Sequence, residues 1–304
     1  MRHISGEQAI ERVLEDRWQL TSIIARYPAE TVWHATDLLE GGSVLVRQAT
    51  LNDRSSRSSA LLAYRILRSV PHPNLEIPIA WREGNTGADY VVLPWLEGET
   101  LADVLGTQWA LSSKRVARML VGAARGISAL HRLHLVHRHV SPERIWLTGP
   151  SAEVIRVAGC IRFPGGNDAQ HLMFQAPEQV VGDPCSSATD VYSLGVVAFR
   201  ALFGGHFAVA AGLDPALAHL SYLPPSLERR ADAGLARLVA WMLRKTPTER
   251  PSMEQVGSIA MAIANDILVD LPEAVASDVY VPRSREAIAA CRELIARTRV
   301  LAAG

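Results

Sequence analysis

The stretch that most constrains this chain is His137 to Leu147, which reads HRHVSPERIWL. A polar loop leads here into the apolar run Ile145 to Leu147, which is typical of a short strand. Residues 112–133, just before it, are a predicted amphipathic helix, because apolar side chains recur along one stripe: Val116, Leu120, Ala124, Ile127 and Leu130. A long buried helix, a polar loop and a strand therefore follow one another at the centre of the chain.

Composition excludes several classes of protein. The 304 residues are 48% hydrophobic and 20% charged, which suits a chain with a large core and excludes a disordered or fibrous one. The formal net charge is zero, so bulk electrostatics favours neither a nucleic acid nor a membrane surface. The apolar runs are too short to span a bilayer, and the start MRHISGEQ lacks the apolar core of a signal peptide. Three cysteines at unrelated spacings fit reduced thiols, so we expect a cytoplasmic protein.

Several motifs occur in an order that resembles protein kinases. The stretch 137–147 is similar to the family's catalytic loop, HRDLKPENILL. His72-Pro73-Asn74 precedes it, and Ala176-Pro177-Glu178, DVYSLG from Asp190 and ERPS from Glu249 follow it. The chain is therefore identified as a member of the eukaryotic-like Ser/Thr protein kinase family. The resemblance implies an α+β, two-lobed fold, with a small antiparallel β lobe and a larger, mainly helical lobe.

The resemblance covers roughly residues 17–268 and divides the chain into four parts. Residues 1–16 are a predicted N-terminal helical extension, because Ser5 and Gln8 form a capping box at the start of a helix over 5–14. Residues 17–97 are the predicted small lobe and hinge, and residues 98–270 the predicted large lobe. Residues 271–304 are a linker and an amphipathic C-terminal helix, whose apolar stripe we expect to pack against the rest of the chain.

Positions that carry chemistry in the family hold other residues here. The Asp that orients and deprotonates the substrate hydroxyl falls on His139, the neighbouring Lys on Ser141, and the metal-binding Asn on Arg144. The second metal ligand, the Asp of the DFG motif, falls on Gly159. The resemblance therefore implies that both protein ligands for magnesium are missing.

The small lobe departs from the pattern as well. The family's VAIK strand ends here in Arg47, and the helix position of the pairing glutamate falls on Ala63. The phosphate-binding loop has lost its glycines, and Glu30 occupies the last of these positions. Because a buried guanidinium without a counter-ion is costly, we predict that Glu30 pairs with Arg47. A solvated Arg47 is the alternative.

The adenine pocket is predicted to be filled by the protein's own side chains. Leu45 and Trp146 stand where the family has the two smaller residues that enclose the base, and Leu93 and Leu96 line the rest of the pocket. An indole buries about 150 to 250 Å², comparable to a purine, so we expect no ATP binding. The alternative is that Trp146 turns outward as an ordinary strand residue.

Residues that only shape the fold are retained. The resemblance implies that Asp190 braces the backbone of the catalytic loop at His137 and Arg138, and that Arg250 pairs with Glu178. The frame of a kinase is therefore present beside the altered chemical positions.

Two functional hypotheses follow. The first is a catalytically inactive, kinase-like domain that binds another protein as a scaffold or allosteric regulator, with no cofactor, no metal, and no nucleic-acid or membrane partner. The alternative is an atypical phosphotransferase, or an enzyme that binds ATP or an anionic metabolite through its Arg and His residues. In both cases the segment 159–178 contains no Ser, Thr or Tyr, so phosphorylation cannot regulate the chain there.

Overall fold

The structure is a computed structural model that describes residues 12–26, 30–49, 54–69, 71–82, 89–148, 154–157, 172–210, 212, 214–222, 224–269, 271, 279–290 and 293–294. The described residues form two compact units: an N-terminal unit up to Gly98 and a C-terminal unit from Glu99 onward. The first is built on an antiparallel sheet and the second is mainly helical. The predicted α+β fold class is confirmed.

The N-terminal unit contains a six-stranded antiparallel sheet in the order β1-β2-β3-β4-β6-β5. One face carries the core, because large apolar side chains alternate along the strands and are almost fully buried: Trp18, Leu20, Trp33, Val46 and Val92. The strands are β1 (Arg12–Leu14), β2 (Trp18–Arg26), β3 (Glu30–Asp37), β4 (Ser43–Ala49), β5 (Ala80–Arg82) and β6 (Tyr90–Pro94).

The predicted helix over residues 5–14 is wrong at its described end, because Arg12–Leu14 is strand β1. It pairs with β2 through a two-residue turn at Glu15 and Asp16, both with positive φ (49° and 53°), as tight hairpins require. Leu14 is buried in the sheet core. Strand pairing and burial outweigh the local capping signal, and residues 5–11 lie outside the described part of the chain.

A single described helix, α1 (Arg54–Ser69), lies between β4 and β5 in the N-terminal unit. Its sequence, RSSRSSALLAYRILRS, contains no acidic residue. Ala63 is half-buried within it. This helix therefore has no carboxylate to offer to a neighbouring cation.

The C-terminal unit is built mainly from helices. A three-stranded antiparallel sheet, β7-β8-β9, accompanies them. Among the described residues, no helix combines the length and apolar character needed to cross a membrane. The helices are α2 (Leu101–Thr107), α3 (Ser113–Arg132), α4 (Pro177–Val180), α5 (Ser187–Phe203), α6 (Phe207–Ala210), α7 (Pro215–Ser221), α8 (Ala233–Met242) and α9 (Met253–Ala264), and the strands are β7 (Glu99–Thr100), β8 (Ile145–Thr148) and β9 (Val154–Val157).

Helix α3 forms the centre of this core, as the sequence pattern predicts. All five residues of its apolar stripe are almost fully buried. It packs closely on α9, where an added Cβ at Gly257 would lie 3.3 Å from the Cβ of Ala124. Because Gly257 has no side chain, α9 can approach α3 closely at this point.

Helix α5 packs against α3. Its N-cap is Ser186, whose backbone N–H donates to the side chain of Thr189 at 3.0 Å. The helix ends at Gly204, which has a positive φ of 88°, as helix C-caps favour. Because Thr189 serves the cap, Asp190 is available for other contacts.

The C-terminal segment 279–290 packs within its own unit. Asp183 accepts hydrogen bonds from Tyr280 Oη at 2.7 Å and from the backbone N–H groups of Arg283 and Ser284 at 2.8 and 3.1 Å. Ala287 is buried with Val181, Leu220 and Tyr280 in an apolar cluster. Tyr280 and Ala287 therefore pack within their own unit, whereas Ile288 of the predicted apolar stripe is exposed, so the role of the C-terminal helix stays a prediction.

Candidate active site

The loop 137–144 is held by a carboxylate from helix α5. The backbone N–H of His137 donates to Asp190 Oδ2 at 2.8 Å, and that of Arg138 donates to Oδ1 at 2.7 Å. His131 Nε2 donates to Oδ2 at 2.8 Å. Asp190 is fully buried, so these charge-assisted bonds act without competition from water. The predicted contact between Asp190 and the loop backbone is present.

Arg138 adopts a strained conformation, with φ of 62° at a non-glycine residue. Its N–H is held by Asp190, and its carbonyl accepts from Gln179 Nε2 at 3.0 Å. Gln179 also accepts from the backbone N–H of Ala176 at 3.0 Å. Strain of this kind persists only where the surroundings fix it, and it occurs preferentially at functional sites. The sequence reasoning missed Gln179, although it follows directly after Ala176-Pro177-Glu178.

His139 lies next to the strained residue and is 6% exposed. Its backbone N–H donates to His137 Nδ1 at 3.2 Å. Ser141 is buried and precedes a 3₁₀ turn, Pro142–Arg144, in which the Arg144 N–H donates to the Ser141 carbonyl at 3.0 Å. The loop therefore fixes the position of an imidazole where the family has its catalytic carboxylate.

Strand β8 follows the loop and carries Trp146. Trp146 pairs with Thr100 of β7 and Arg156 of β9, and its side chain is half-buried. In the N-terminal unit, Leu93 and Leu96 are buried, and Leu45 is half-buried opposite Leu93. A filled adenine pocket would join the two units, so the structure leaves it untested, and a nucleotide-dependent activity would require the alternative in which Trp146 turns outward.

The N-terminal unit buries a short ion pair. Arg47 Nη2 donates to Glu30 Oε1 at 2.5 Å, and the two residues are 3% and 2% exposed. Glu30 lies opposite Ala49, and Val32 lies opposite Arg47, so the two charges are diagonal neighbours on one face of the sheet. The predicted pairing of Glu30 with Arg47 is confirmed. The carboxylate comes from the adjoining strand and not from α1, where Ala63 has none to give.

A second buried pair anchors the C-terminal unit. Arg250 donates to both oxygens of Glu178, at 2.7 and 2.9 Å, and Thr189 Oγ1 donates to Glu178 at 2.9 Å. Arg250 also donates to the carbonyls of Ala188, Arg244 and Lys245. The predicted pair is present with a bidentate geometry, which fits a guanidinium to a carboxylate.

The C-terminal unit contains a network of buried titratable groups around the Met173 carbonyl, which the sequence did not predict. His206 Nε2 and His219 Nε2 both donate to the Met173 carbonyl, at 2.5 and 3.0 Å, and Tyr192 Oη lies 3.1 Å from His219 Nδ1. Lys245 Nζ donates to Tyr192 Oη at 3.2 Å. Single Tyr, His and Lys residues between Tyr192 and Lys245, which are 53 positions apart, give no sequence pattern, so only the folded chain reveals the network.

Burial shifts these groups toward their neutral forms. It lowers the pKa of His206 to about 4 and that of Lys245 to about 7, with the nearby charges of Arg200 and Arg250, respectively, acting in the same direction. Burial also places the pKa of His219 well below its ordinary value. The two imidazoles are therefore neutral at pH 7, as their donation to one carbonyl allows.

The donor set at the altered positions does not suit magnesium. Magnesium prefers oxygen ligands, whereas the Arg144 side chain has only donors, and Gly159, outside the described residues, has no side chain. No metal-ligating group of three or more His, Cys, Asp or Glu residues occurs in the described part of the chain. A dication about 4 Å from Arg144 would be repelled by roughly 8 kcal/mol at an effective dielectric constant of about 20.

Comparison with known proteins decides the family. A family model of the protein kinase domain matches residues 31–259. This chain belongs to the protein kinase family. The match covers the described loop 137–144 and both buried ion pairs except Glu30, which lies one residue before it.

Curated bacterial relatives carry the same domain. The chain is 30% identical over 257 residues to the serine/threonine-protein kinase PknA of Mycobacterium tuberculosis, which covers 78% of this chain and 58% of that protein. It is 27% identical over 264 residues to the serine/threonine-protein kinase drp72 of Corynebacterium efficiens, covering 81% and 50%. A DNA damage-responsive serine/threonine-protein kinase of Deinococcus radiodurans, RqkA, is 26% identical over 261 residues, covering 79% and 38%. The chain thus spans about half the length of the relatives it matches, or less.

These relatives correct the first functional hypothesis. The prediction of a catalytically inactive binding domain that is not an enzyme is wrong, because the matched relatives are named serine/threonine-protein kinases. The interpretation of the replaced positions as a sign of lost activity is wrong for the same reason. The enzymatic alternative is the hypothesis that remains.

Proposed function

We propose that the chain is an atypical phosphotransferase of the protein kinase family, which transfers a phosphoryl group from a nucleoside triphosphate to a serine or threonine hydroxyl of a protein. The names of the relatives support this activity. The observation that carries it is the loop 137–144: buried Asp190 and Gln179 hold Arg138 in a strained conformation, and His139 follows directly. The strained backbone of Arg138 is held by hydrogen bonds at both its N–H and its carbonyl, which is typical of a functional site and is not needed in a simple connection between a helix and a strand.

His139 is the proposed general base. An imidazole accepts a proton near neutral pH, since its unperturbed pKa is about 6.5, and a positioned base contributes about 10² to 10⁴ to a rate. His139 is almost fully buried, and its backbone N–H donates to His137 Nδ1. The backbone position from which the imidazole extends is therefore fixed. In this proposal His139 takes the proton of the acceptor hydroxyl as the oxygen attacks the terminal phosphorus, and the nucleoside diphosphate leaves with the electron pair of the P–O bond that breaks.

An arginine side chain supplies the positive charge. Guanidinium groups form paired, charge-assisted hydrogen bonds with phosphate oxygens. Arg144 is half-buried in the loop at the position of a metal ligand. In this proposal it binds phosphate oxygens directly. An arginine neutralises less charge than metal ions, so we expect turnover below the roughly 1 to 100 per second of ordinary kinases.

We further propose that the domain acts in the cytoplasm on another protein, with no nucleic-acid or membrane partner. The cytoplasm supplies nucleoside triphosphates, and the formal net charge of zero gives the chain no bulk attraction to polyanions.

Transfer of labelled phosphate tests the function. Wild-type protein is incubated with a γ-labelled nucleoside triphosphate and a mixture of protein substrates, beside His139→Asn. The matched control is His134→Asn, at an exposed histidine whose positive φ of 57° suits asparagine. We expect transfer by wild type and by His134→Asn, and about a 100-fold loss in His139→Asn. Absence of transfer by the folded wild type, or equal transfer by both variants, contradicts the proposal.

A further inference from the structure

Three neighbouring strands of the N-terminal unit bring two hydroxyls to one imidazole. His34 on β3 has its Nδ1 2.6 Å from Thr21 Oγ1 on β2 and its Nε2 3.0 Å from Ser43 Oγ on β4. The Thr21 hydroxyl also donates to the His34 carbonyl at 2.9 Å. These three residues lie outside the proposed active site, and no step of the proposed phosphotransfer uses them.

One ring tautomer makes Ser43 the donor to the imidazole. A threonine hydroxyl has one hydrogen, and the His34 carbonyl, which can only accept, lies 2.9 Å from Thr21 Oγ1. With the hydroxyl proton on that carbonyl, Thr21 Oγ1 accepts from Nδ1–H and Nε2 keeps its lone pair. The Ser43 hydroxyl then donates to Nε2. The arrangement is a serine bonded to a base that a third group orients.

The backbone shows how Thr21 reaches the ring. The β2–β3 register shifts between Leu20 and Ser22, so that Thr21 is an extra residue with no partner on β3. A bulge of this kind turns a side chain away from regular alternation and occurs often beside functional sites. Here it directs the Thr21 hydroxyl to Nδ1 of His34. The contact thus depends on a local departure from the sheet and not on strand pairing alone.

The surroundings keep the imidazole oriented and the serine accessible. Trp95 lies edge-on to the His34 ring, with centroids 4.7 Å apart and planes at 77°. Burial lowers the pKa of His34, so the ring is a neutral base at pH 7. His34 is half-buried, whereas Ser43 is exposed at the start of β4, directly after Gly41 and Gly42. A reagent can therefore approach the serine from solvent while the base stays in place.

We propose that Ser43 is an activated serine that accepts phosphoryl groups, with His34 as its base and Thr21 as a positioning residue. This inference goes beyond the proposed function and does not depend on it, because the donor is any compound whose phosphorus atom carries a leaving group. Ser43 Oγ forms a bond to phosphorus, and the leaving group departs with the electron pair of the bond that breaks. The hydroxyl proton moves to His34 Nε2. The segment 159–178 has no hydroxyl side chain, so Ser43 would provide the chain with a phosphoryl acceptor that this segment lacks.

A fluorophosphonate probe tests the reactivity without any need for the chain's own catalysis. The probe phosphonylates an activated serine, and fluoride is the leaving group. Peptide mapping by mass spectrometry gives the labelling rate at each serine of the full-length protein. The internal control is Ser22, which is exposed on the neighbouring strand opposite His34. We expect Ser43 to react at least tenfold faster than Ser22.

Variants separate a base from a structural contact. His34→Gln keeps hydrogen-bonding groups but removes the base, and we expect it to reduce labelling of Ser43 to the rate of Ser22. In wild type the rate rises with pH as the imidazole loses its proton; in His34→Gln this rise is lost. Thr21→Val leaves the ring without its acceptor and lowers the rate about threefold to tenfold. Thermal unfolding confirms that each variant is folded. Equal rates at Ser43 and Ser22 in wild type, or unchanged labelling in folded His34→Gln, overturn the proposal.

Discussion

Each compact unit has an arginine–carboxylate pair in which both side chains are almost fully buried, but the two pairs differ in what they connect. In the C-terminal unit Arg250 and Glu178 are 72 residues apart and join α4 to the loop that precedes α9. In the N-terminal unit Arg47 and Glu30 are 17 residues apart and lie on adjoining strands of one hairpin. The first pair ties distant parts of the chain together, and the second fixes a cation within a single sheet.

The two arginines also differ in the number of groups they bind. Arg250 donates to Glu178 and to three carbonyls at once. Arg47 pairs with a carboxylate from the adjoining strand, since Ala63 on α1 has none to offer. A buried cation needs a counter-ion, but that counter-ion can come from any neighbouring element. The four predictions below test this contrast, from the largest expected effect to the smallest.

Breaking the pair in the C-terminal unit is expected to cost most. Glu178→Gln leaves Arg250 buried without its negative partner, and loss of one member of such a pair costs about 3 to 5 kcal/mol. Urea unfolding at pH 7 measures the change. Glu254→Gln is the control, because Glu254 forms an exposed pair with Arg132 at 3.3 Å and we expect a change of about 0.5 kcal/mol or less. A loss below about 1 kcal/mol in Glu178→Gln contradicts the role given to this pair.

Acid is expected to destabilise the network of titratable groups around the Met173 carbonyl. The folded pKa of His206, about 4, lies below the unfolded value of 6.5, so the unfolded chain takes up a proton first as pH falls. Stability is therefore complete above about pH 6.5 and is lost as pH falls toward 4, by at most about 3 kcal/mol for this residue. Unfolding free energies measured across this range test it, with His206→Gln expected to flatten the curve. His219 and Arg200 lie near His206 and remain in that variant, so some slope persists. An unchanged slope in His206→Gln would refute the assignment.

The pair in the N-terminal unit is expected to show a smaller coupling. A double-mutant cycle with Glu30→Gln and Arg47→Met isolates the interaction between the two side chains. We expect about 2 kcal/mol, because one hydrogen bond joins them where two join Arg250 to Glu178. The exposed pair of Arg82 and Glu15, at 2.7 Å, gives a matched cycle in the same unit. A coupling no larger than that of the exposed pair would show that Glu30 does not stabilise Arg47.

The smallest effect is expected at the C-terminal segment. Tyr280→Phe removes one of the three hydrogen bonds that Asp183 accepts but keeps the ring in its apolar cluster. We expect a loss of about 1 kcal/mol, measured by urea unfolding. Val281→Ala, at an exposed neighbour, serves as the control and should leave stability almost unchanged. Equal stability of Tyr280→Phe and wild type would mean that the two backbone donors alone satisfy Asp183.

Much of the frame could be predicted from the sequence, because each part rests on a local pattern or a fixed motif. The stripe of α3 gives its buried face, and the motifs around Asp190, Glu178 and Arg250 place the anchors of the C-terminal unit. The pairing of Glu30 with Arg47 follows from the cost of burying an unpaired charge. The apolar periodicity, the motifs and the cost of an unpaired buried charge are sufficient to predict these features.

Other features depend on tertiary contacts that no local pattern records. The capping signal of Ser5 and Gln8 predicts a helix that reaches residue 14, yet Leu14 joins the sheet core as a strand residue. The His206 and His219 network joins single residues from separate helices at one backbone carbonyl. The functional hypothesis failed for a different reason. It inferred lost activity from replaced side chains, although a fold can retain a function with other residues at the site.

The pH dependence of phosphoryl transfer tests the central claim, that His139 is the base of an active phosphotransferase. Wild type and His139→Asp are compared with the same γ-labelled nucleoside triphosphate and acceptor protein. In wild type the rate should rise with pH near neutrality, as expected of a histidine base. In His139→Asp the carboxylate is ionised above about pH 5, so the rise should disappear. Identical profiles for the two proteins, or no transfer by folded wild type at any pH, would contradict the account.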